Sequence, residues 1–175
     1  NVTVLDSLDP FYDVGIKNRA IEAARRIASE SAAGSYRFVE GDVRDESLIQ
    51  STMVDVDIVY HQAGRAGVRS SVDDPRMYDD VNVRGTLNVL DAAREAHAER
   101  VIIASSSSVY GVPEYLPYDE VHPTTPISPY GASKLAAERY GCAYDRVYDI
   151  SVVALRYFTV YGPRMRPNMA ISNFV

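Results

Sequence analysis

A tyrosine and a lysine, Tyr130 and Lys134, lie four residues apart in a segment that predicts a helix. At this spacing the two side chains lie on one face of the helix. A neighbouring ammonium group favours the phenolate form of tyrosine, and a phenolate is a usable general base. Because the chain contains 13 tyrosines, the pair by itself is a weak signal, and in isolation it indicates only decoration of a helix surface.

A run of serines about two dozen residues upstream changes that interpretation. The run follows the predicted strand Arg100–Ala104 and comprises Ser105, Ser106, Ser107 and Ser108. A hydroxyl at this strand end can hydrogen-bond a substrate oxygen and share its proton with the phenol. For any single serine, a polar turn is the alternative interpretation.

Alternating strands and helices must position these residues. Apolar patterning predicts strands at Val2–Asp6, Tyr36–Glu40, Asp57–His61, Arg100–Ala104 and Ser151–Tyr157. It predicts helices at Ile16–Ser31 (ended by Gly34), Glu46–Met53 (capped by Asp45), Asp74–Ala98 and Ser128–Tyr148, the last two opened by a proline. This alternation indicates an α/β fold with a doubly wound parallel sheet, in which ligands bind at the carboxyl ends of the strands.

Composition narrows the class of protein. The 175 residues are 46% hydrophobic, which suits one globular domain over residues 1–175, and the net charge of -6 argues against nucleic-acid binding. The apolar runs are too short to span a bilayer. A single cysteine, Cys142, excludes a disulfide framework, and three scattered histidines show no metal-ligand spacing. We therefore expect a cytoplasmic protein without a metal, nucleic-acid or membrane partner.

Three further features are compatible with a dinucleotide. Asp6 ends the first predicted strand, where a carboxylate accepts both ribose hydroxyls and disfavours a 2′-phosphate, although a capping role is equally compatible. Asp42, after Gly41, is suited to the adenine amino group or to a turn. The small residues of 63–67 allow close approach of the backbone, but no G-x-G-x-x-G motif occurs in the chain.

Five motifs in order carry a specific resemblance: Gly41-Asp-Val-Arg-Asp45, His61-Gln-Ala-Gly64, Ser105-Ser-Ser-Ser-Val-Tyr-Gly111, Ser128-Pro-Tyr-Gly-Ala-Ser-Lys134 and Leu155-Arg-Tyr-Phe-Thr-Val-Tyr-Gly-Pro163. Over essentially the whole chain, this set resembles the extended short-chain dehydrogenase/reductase family, in its NAD-dependent nucleotide-sugar epimerase/dehydratase branch. Within that branch it is most similar to the 4-epimerases of UDP-glucose and UDP-glucuronate.

The resemblance assigns roles to particular residues. It implies that Tyr130 is the base, that Lys134 supports it and holds the nicotinamide ribose, and that Ser106 is the active serine. The cofactor contacts it implies are Asp6, Ser7, Asp42, Val43, Ala63, Gly64, Asn82, Tyr130, Lys134 and Phe158. The substrate contacts it implies are Ser106, Tyr130 and Thr159.

The implied reaction is NAD-dependent 4-epimerisation of a UDP-sugar by transient oxidation at C4. We expect the UDP-glucose/UDP-galactose type. UDP-glucuronate remains the alternative, because Thr159 occurs where galactose-type enzymes often have asparagine. Dehydratase relatives carry an Asp-Glu pair where this chain has Ser107 and Ser108, which argues against dehydration.

The resemblance also concerns the limits and assembly of the chain. The first strand matches the family's second strand, so we expect the middle of a larger enzyme, lacking the glycine-rich loop and the C-terminal substrate domain and binding NAD poorly alone. Relatives imply a homodimer through the helices near 74–98 and 128–148.

Two other classes of function compete with the enzyme. A non-catalytic module that binds NAD or a nucleotide would share the fold, but it has no need of a base. A serine hydrolase using Ser106 with His61 or His122 lacks the G-x-S-x-G motif.

Overall fold

The computed structural model describes residues 1–32, 34–163, 165 and 167. The chain divides into two compact units, Asn1–Asp42 with Thr159–Val175, and Val43–Phe158. In both units parallel strands are joined by helices, which confirms the predicted Rossmann-like α/β class. None of the described helices combines the length and the apolar composition needed to cross a membrane.

The first unit is built on a pair of parallel strands. Strand β1 (Val2–Asp6) pairs in register with β2 (Tyr36–Glu40), and helix α1 (Val14–Glu30) connects them. The carboxylate of Asp13 caps α1 by accepting the N–H of Gly15 at 2.8 Å. The predicted cap at Gly34 is wrong, because Ser31 already turns the backbone into an extended conformation.

The second unit contains a three-stranded parallel sheet. Helix α2 (Glu46–Thr52) precedes strands β3 (Ile58–His61), β4 (Arg100–Ser106) and β5 (Ser151–Tyr157), and β4 lies in the centre. Strand β4 is two residues longer than predicted, because Ser105 and Ser106 pair with β5. The first serines of the run therefore belong to the sheet, and a 3₁₀ turn at Ser107–Val109 follows.

The long helix predicted over Asp74–Ala98 is interrupted. After an unpredicted helix α3 (Val68–Asp73), the structure has α4 (Pro75–Asp79), a π-helical turn (Asp80–Arg84) and α5 (Gly85–Glu95). A Cβ at Gly85 would lie 2.6 Å from Cγ2 of Val43, so this helix packs tightly on a neighbouring segment. No local sequence signal marks the π turn, because the partners of its buried residue, Asn82, are distant in the sequence.

The core of the second unit lies between the sheet and two helices. Helix α6 (Pro129–Tyr148) and α5 cover β4, and the buried cluster comprises Leu90, Ala93, Ala98, Val101, Ile103, Tyr144 and Ile150. A Cβ at Gly141 would lie only 2.8 Å from Cδ1 of Ile103. The absence of a side chain therefore allows α6 to approach the sheet closely and sets the distance between its inner face and β4.

Candidate active site

The first turn of α6 is held against the end of β4. Ser128 caps the helix by accepting the N–H of Gly131 at 3.0 Å, and Pro129 occupies the first position. A Cβ at Gly131 would lie 2.5 Å from the carbonyl oxygen of Ser108, so only glycine allows this approach. The turn that carries Tyr130 therefore packs directly on the turn that follows Ser106.

Ser106 is the last residue of β4 and is buried. Its Oγ accepts the N–H of Ser108 at 3.2 Å, which closes the 3₁₀ turn. The predicted alternative, a polar turn at the strand end, thus describes part of what this serine does. Its hydroxyl hydrogen is not used in that bond, which leaves a donor for a substrate oxygen.

Lys134 lies one helical turn after Tyr130 and is only 7% exposed. Its Nζ donates a hydrogen bond to the carbonyl oxygen of Ala104 at 2.8 Å. Burial lowers the pKa of this ammonium group to about 8, since removal from water disfavours the charged form. The bond anchors the lysine to β4 two residues before Ser106.

Gly64 was predicted to let the backbone approach another group closely, and the groups that it approaches are side chains of the protein. A Cβ there would lie 2.8 Å from Nζ of Lys134 and 3.0 Å from Oδ1 of Asn82. A larger residue would therefore displace two buried polar groups. The loop after β3 is thus packed against the helix that carries the predicted base.

Asn82 clamps that loop from the π-helical turn. It is 1% exposed, its Oδ1 accepts the N–H of Arg65 at 2.7 Å, and its Nδ2 donates to the carbonyl oxygen of Arg65 at 3.0 Å. The second hydrogen of Nδ2 is donated to Oγ of Ser133 at 2.9 Å, and Ser133 in turn donates to the carbonyl oxygen of Tyr130. One side chain therefore joins the loop to α6.

The two histidines considered for a hydrolase, His61 and His122, have structural partners. Nε2 of His61 lies 2.9 Å from Oγ1 of Thr86, whose hydroxyl donates to the carbonyl oxygen of Asn82, so His61 must be the donor. Burial and the charge of Lys134 lower the pKa of His61 to about 3, which keeps it neutral.

His122 accepts the N–H of Glu114 and donates to the carbonyl oxygen of Pro123. Neither ring pairs with Ser106, which argues against the hydrolase.

A buried ion pair fixes α6 to the sheet and was missed at the sequence level. Glu138 is 4% exposed and receives two bonds from the guanidinium of Arg156, at 2.9 and 3.0 Å. The hydroxyl of Ser105 donates to the same carboxylate. The hydrogen bonds to Glu138 raise the pKa of Arg156, which keeps the guanidinium charged. The ion pair ties the neighbour of Ser106 to the helix of Tyr130 and Lys134.

Arg156 also supports an aromatic cluster. Its guanidinium lies 4.9 Å from the ring centre of Tyr110, a cation–π distance. Tyr110 stacks on Tyr118 at 4.8 Å, and Phe158, just after β5, lies 5.5 Å from Tyr118. Phe158 remains 55% exposed, so its ring is accessible at the carboxyl end of the sheet.

In the first unit, Asp6 ends β1 as predicted. Its Oδ1 accepts the N–H of Leu8 at 2.7 Å and pairs with Nζ of Lys17 at 2.9 Å. The capping role considered for Asp6 is therefore real, and the cation beside it was not predicted.

The predicted cofactor and substrate contacts are divided between the two units. The first unit holds Asp6, Ser7, Asp42 and Thr159, and the second holds Val43, Ala63, Gly64, Asn82 and Phe158.

Within residues 1–32, 34–163, 165 and 167, no group of three or more His, Cys, Asp or Glu side chains is arranged to hold a metal ion. In the second unit, the helix that carries the phenol of Tyr130 packs on the end of β4, where the buried ammonium of Lys134 is bonded and the hydroxyl of Ser106 lies. These groups are suited to proton transfer at a substrate oxygen.

Comparison with known proteins identifies similar sequences over nearly the whole chain. The model of the NAD dependent epimerase/dehydratase family matches residues 5–175. A Methanocaldococcus jannaschii protein, provisionally named a UDP-glucose 4-epimerase, is 46% identical over 132 residues, which cover 74% of this chain and 43% of the relative.

Solved structures agree in fold. A tyrosine-to-phenylalanine mutant of UDP-glucuronic acid 4-epimerase from Bacillus cereus, bound to a fluorinated UDP-sugar and NAD, is similar with a TM-score of 0.87 and 32% identity, over 98% of this chain and 52% of that one. A double mutant of dTDP-glucose 4,6-dehydratase from Streptomyces venezuelae, with bound NAD, has a TM-score of 0.83 and 34% identity, over 99% and 51%. The chain thus spans about half the length of the proteins it matches.

Proposed function

Because the chain belongs to the NAD-dependent epimerase/dehydratase family, we propose that the protein containing it epimerises a UDP-sugar at C4 by transient oxidation. In this proposal residues 1–175 form part of the NAD-binding domain. The observation that carries the proposal is the placement of Lys134, whose buried ammonium is bonded to the end of β4 one turn after Tyr130.

The chemistry proposed for the second unit is a proton transfer. Tyr130 takes the proton of the sugar 4-hydroxyl, and Ser106 hydrogen-bonds the same oxygen. Lys134, with a pKa of about 8, is cationic at neutral pH and stabilises the phenolate. Burial strengthens this effect, because charges interact more strongly away from water. Thr159, in the first unit, is proposed as a further substrate contact.

The residues present are compatible with NAD. The ammonium of Lys134 has three N–H donors, and its bond to Ala104 uses one of them. We propose that it also donates to the nicotinamide ribose, that Phe158 packs against the nicotinamide, and that Asp6 accepts the hydroxyls of the adenine ribose. NAD, when bound, supplies the hydride acceptor for C4 of the sugar. Further contacts are proposed for Ser7, Asp42, Val43, Ala63, Gly64 and Asn82.

The nature of the sugar is the finer part of the proposal. We propose UDP-glucose and UDP-galactose as the substrate pair, supported by the 46% identity to the Methanocaldococcus jannaschii relative. UDP-glucuronate is the second candidate, because the Bacillus cereus enzyme acts on that sugar class and is similar over 98% of the chain.

An interconversion assay tests this proposal. The complete protein that contains this chain, supplied with NAD, is expected to convert UDP-glucose to UDP-galactose, or UDP-glucuronate to UDP-galacturonate, as measured by chromatography of the nucleotide sugars. The pair that equilibrates identifies the substrate. A product that has lost water would instead indicate a dehydratase. Binding of NAD without turnover of either sugar would favour the non-catalytic module.

We also propose that the complete protein is a cytoplasmic homodimer that packs through α4–α5 and α6. Support comes from Tyr140 and Val147 on α6, which are 42% and 68% exposed and lie two helical turns apart on one face. Light scattering of the complete protein is expected to give twice the monomer mass. A monomer at micromolar concentration would contradict the dimer.

A further inference from the structure

Tyr78 on α4 is a phenol buried beside the proposed base. It is 1% exposed, and its ring meets that of Tyr130 edge-on, with centroids 6.2 Å apart and an interplanar angle of 78°. This is the geometry that aromatic pairs prefer, because the positive edge of one ring faces the negative face of the other. Tyr78 therefore packs against one side of the Tyr130 ring.

The hydroxyl of Tyr78 has different partners from its ring. It donates to the carbonyl oxygen of Ala66 at 3.0 Å and lies 2.6 Å from Oγ of Ser70. Since a phenol has one hydrogen and a carbonyl can only accept, Ser70 is the donor in the second bond. The hydroxyl of Ser70 then gives up its longer contact, at 3.4 Å, with the carbonyl oxygen of Gly67. The hydroxyl of Tyr78 thus fixes both ends of the segment 66–70.

That segment is continuous with the loop proposed to contact the cofactor. Asn82, one turn after Tyr78, holds the backbone of Arg65, and Gly64 packs on Lys134. Gly67, which lies between Gly64 and Ser70 in this loop, has φ of 120°, and a Cβ there would lie 2.5 Å from Oγ of Ser70. The loop therefore has little room to rearrange while the Ser70–Tyr78 bond is intact.

Resting on the proposed role of Tyr130, we propose that Tyr78 is a positioning residue with two separable tasks. Its ring holds the Tyr130 phenol in the orientation for proton transfer, and its hydroxyl holds the 63–70 loop in the shape that binds NAD. The two tasks use different atoms with different partners. They can therefore be separated by substitution.

Two variants of the complete protein separate the tasks. Tyr78→Phe keeps the ring and removes the hydroxyl, so we expect kcat to stay within about 3-fold and the Kd for NAD to rise about 10-fold. Tyr78→Leu removes the ring as well, so kcat is expected to fall about 10- to 100-fold further because the base is misplaced. Ser70→Ala removes the other partner of the same hydrogen bond and leaves Tyr78 in place, so it is expected to weaken NAD binding by a similar factor.

The readouts are kcat, NAD binding by titration calorimetry, and NMR of ¹³C-labelled tyrosine rings. The Tyr130 resonance, assigned by its loss in Tyr130→Phe, is expected to shift in Tyr78→Leu and to stay in place in Tyr78→Phe. An equal loss of kcat in both Tyr78 variants, or an unmoved Tyr130 resonance in Tyr78→Leu, would overturn the ring's task. Unchanged NAD binding in Tyr78→Phe and Ser70→Ala would overturn the hydroxyl's task.

These measurements distinguish this inference from the proposed function. If the wild-type protein epimerises no UDP-sugar, the proposed function fails, while the resonance of Tyr130 and the affinity for NAD still test Tyr78. If Tyr78→Leu does not fold, Tyr78→Phe and Ser70→Ala, which leave the core filled, still decide the hydroxyl's task. In that case Tyr78→Met, whose flexible unbranched side chain fills irregular space but carries no ring, takes the place of Leu.

Discussion

Replacing Tyr130 by phenylalanine is expected to lower the kcat for UDP-sugar 4-epimerisation by roughly 10²- to 10⁴-fold, the usual contribution of a general base. The substitution keeps the ring that packs on Tyr78 and removes only the group that accepts the proton. Binding of NAD is expected to stay within about 3-fold of wild type, because Lys134 keeps its bond to Ala104. Steady-state kinetics and titration calorimetry on the complete protein measure the two effects.

Tyr148→Phe is the matched control for this experiment. Tyr148 is the last residue of the same helix and is 45% exposed, so its hydroxyl is expected to contribute nothing to turnover. Retention of full activity in Tyr130→Phe would show that another group is the base. A wild-type protein that binds NAD and acts on no UDP-sugar would instead support the non-catalytic module.

Replacing Arg156 by methionine is expected to lower the free energy of unfolding by about 3–5 kcal/mol. The reason is that Glu138, with a side chain only 5% exposed, would remain buried without its cation. Ser105 donates to the same carboxylate, but a single hydroxyl does not offset the charge. Chemical denaturation of the complete protein measures this loss.

Two controls define the origin of that loss. Arg84→Met removes an exposed ion pair with Asp80 on the π turn and is expected to cost less than about 1 kcal/mol. The double variant Glu138→Leu with Arg156→Met is expected to recover most of the loss, because no buried charge is then left unpaired. A double variant that is as unstable as Arg156→Met alone would refute the electrostatic explanation.

Local signals in the sequence predicted where most elements begin. Asp45 was predicted as a cap, and Asp74 and Ser128 were predicted as helix starts because a proline follows each. All three side chains accept a backbone N–H in the first turn of their helices. Such caps are predictable because the acceptor and the donor lie three residues apart. The interruption of the long helix by a π turn was not predictable in this way, since the inward turn of Asn82 satisfies Arg65 and Ser133.

Residue spacing alone was enough to predict the α/β class, the shared helix face of Tyr130 and Lys134, and the position of Ser106 at a strand end. It was enough because strands and helices repeat over a few residues. The side-chain contacts could be read only from the folded chain: Lys134 with Ala104, Tyr130 with Tyr78, and Glu138 with Arg156. These contacts join distant parts of the chain, and they form only when helices pack on the sheet at one particular distance.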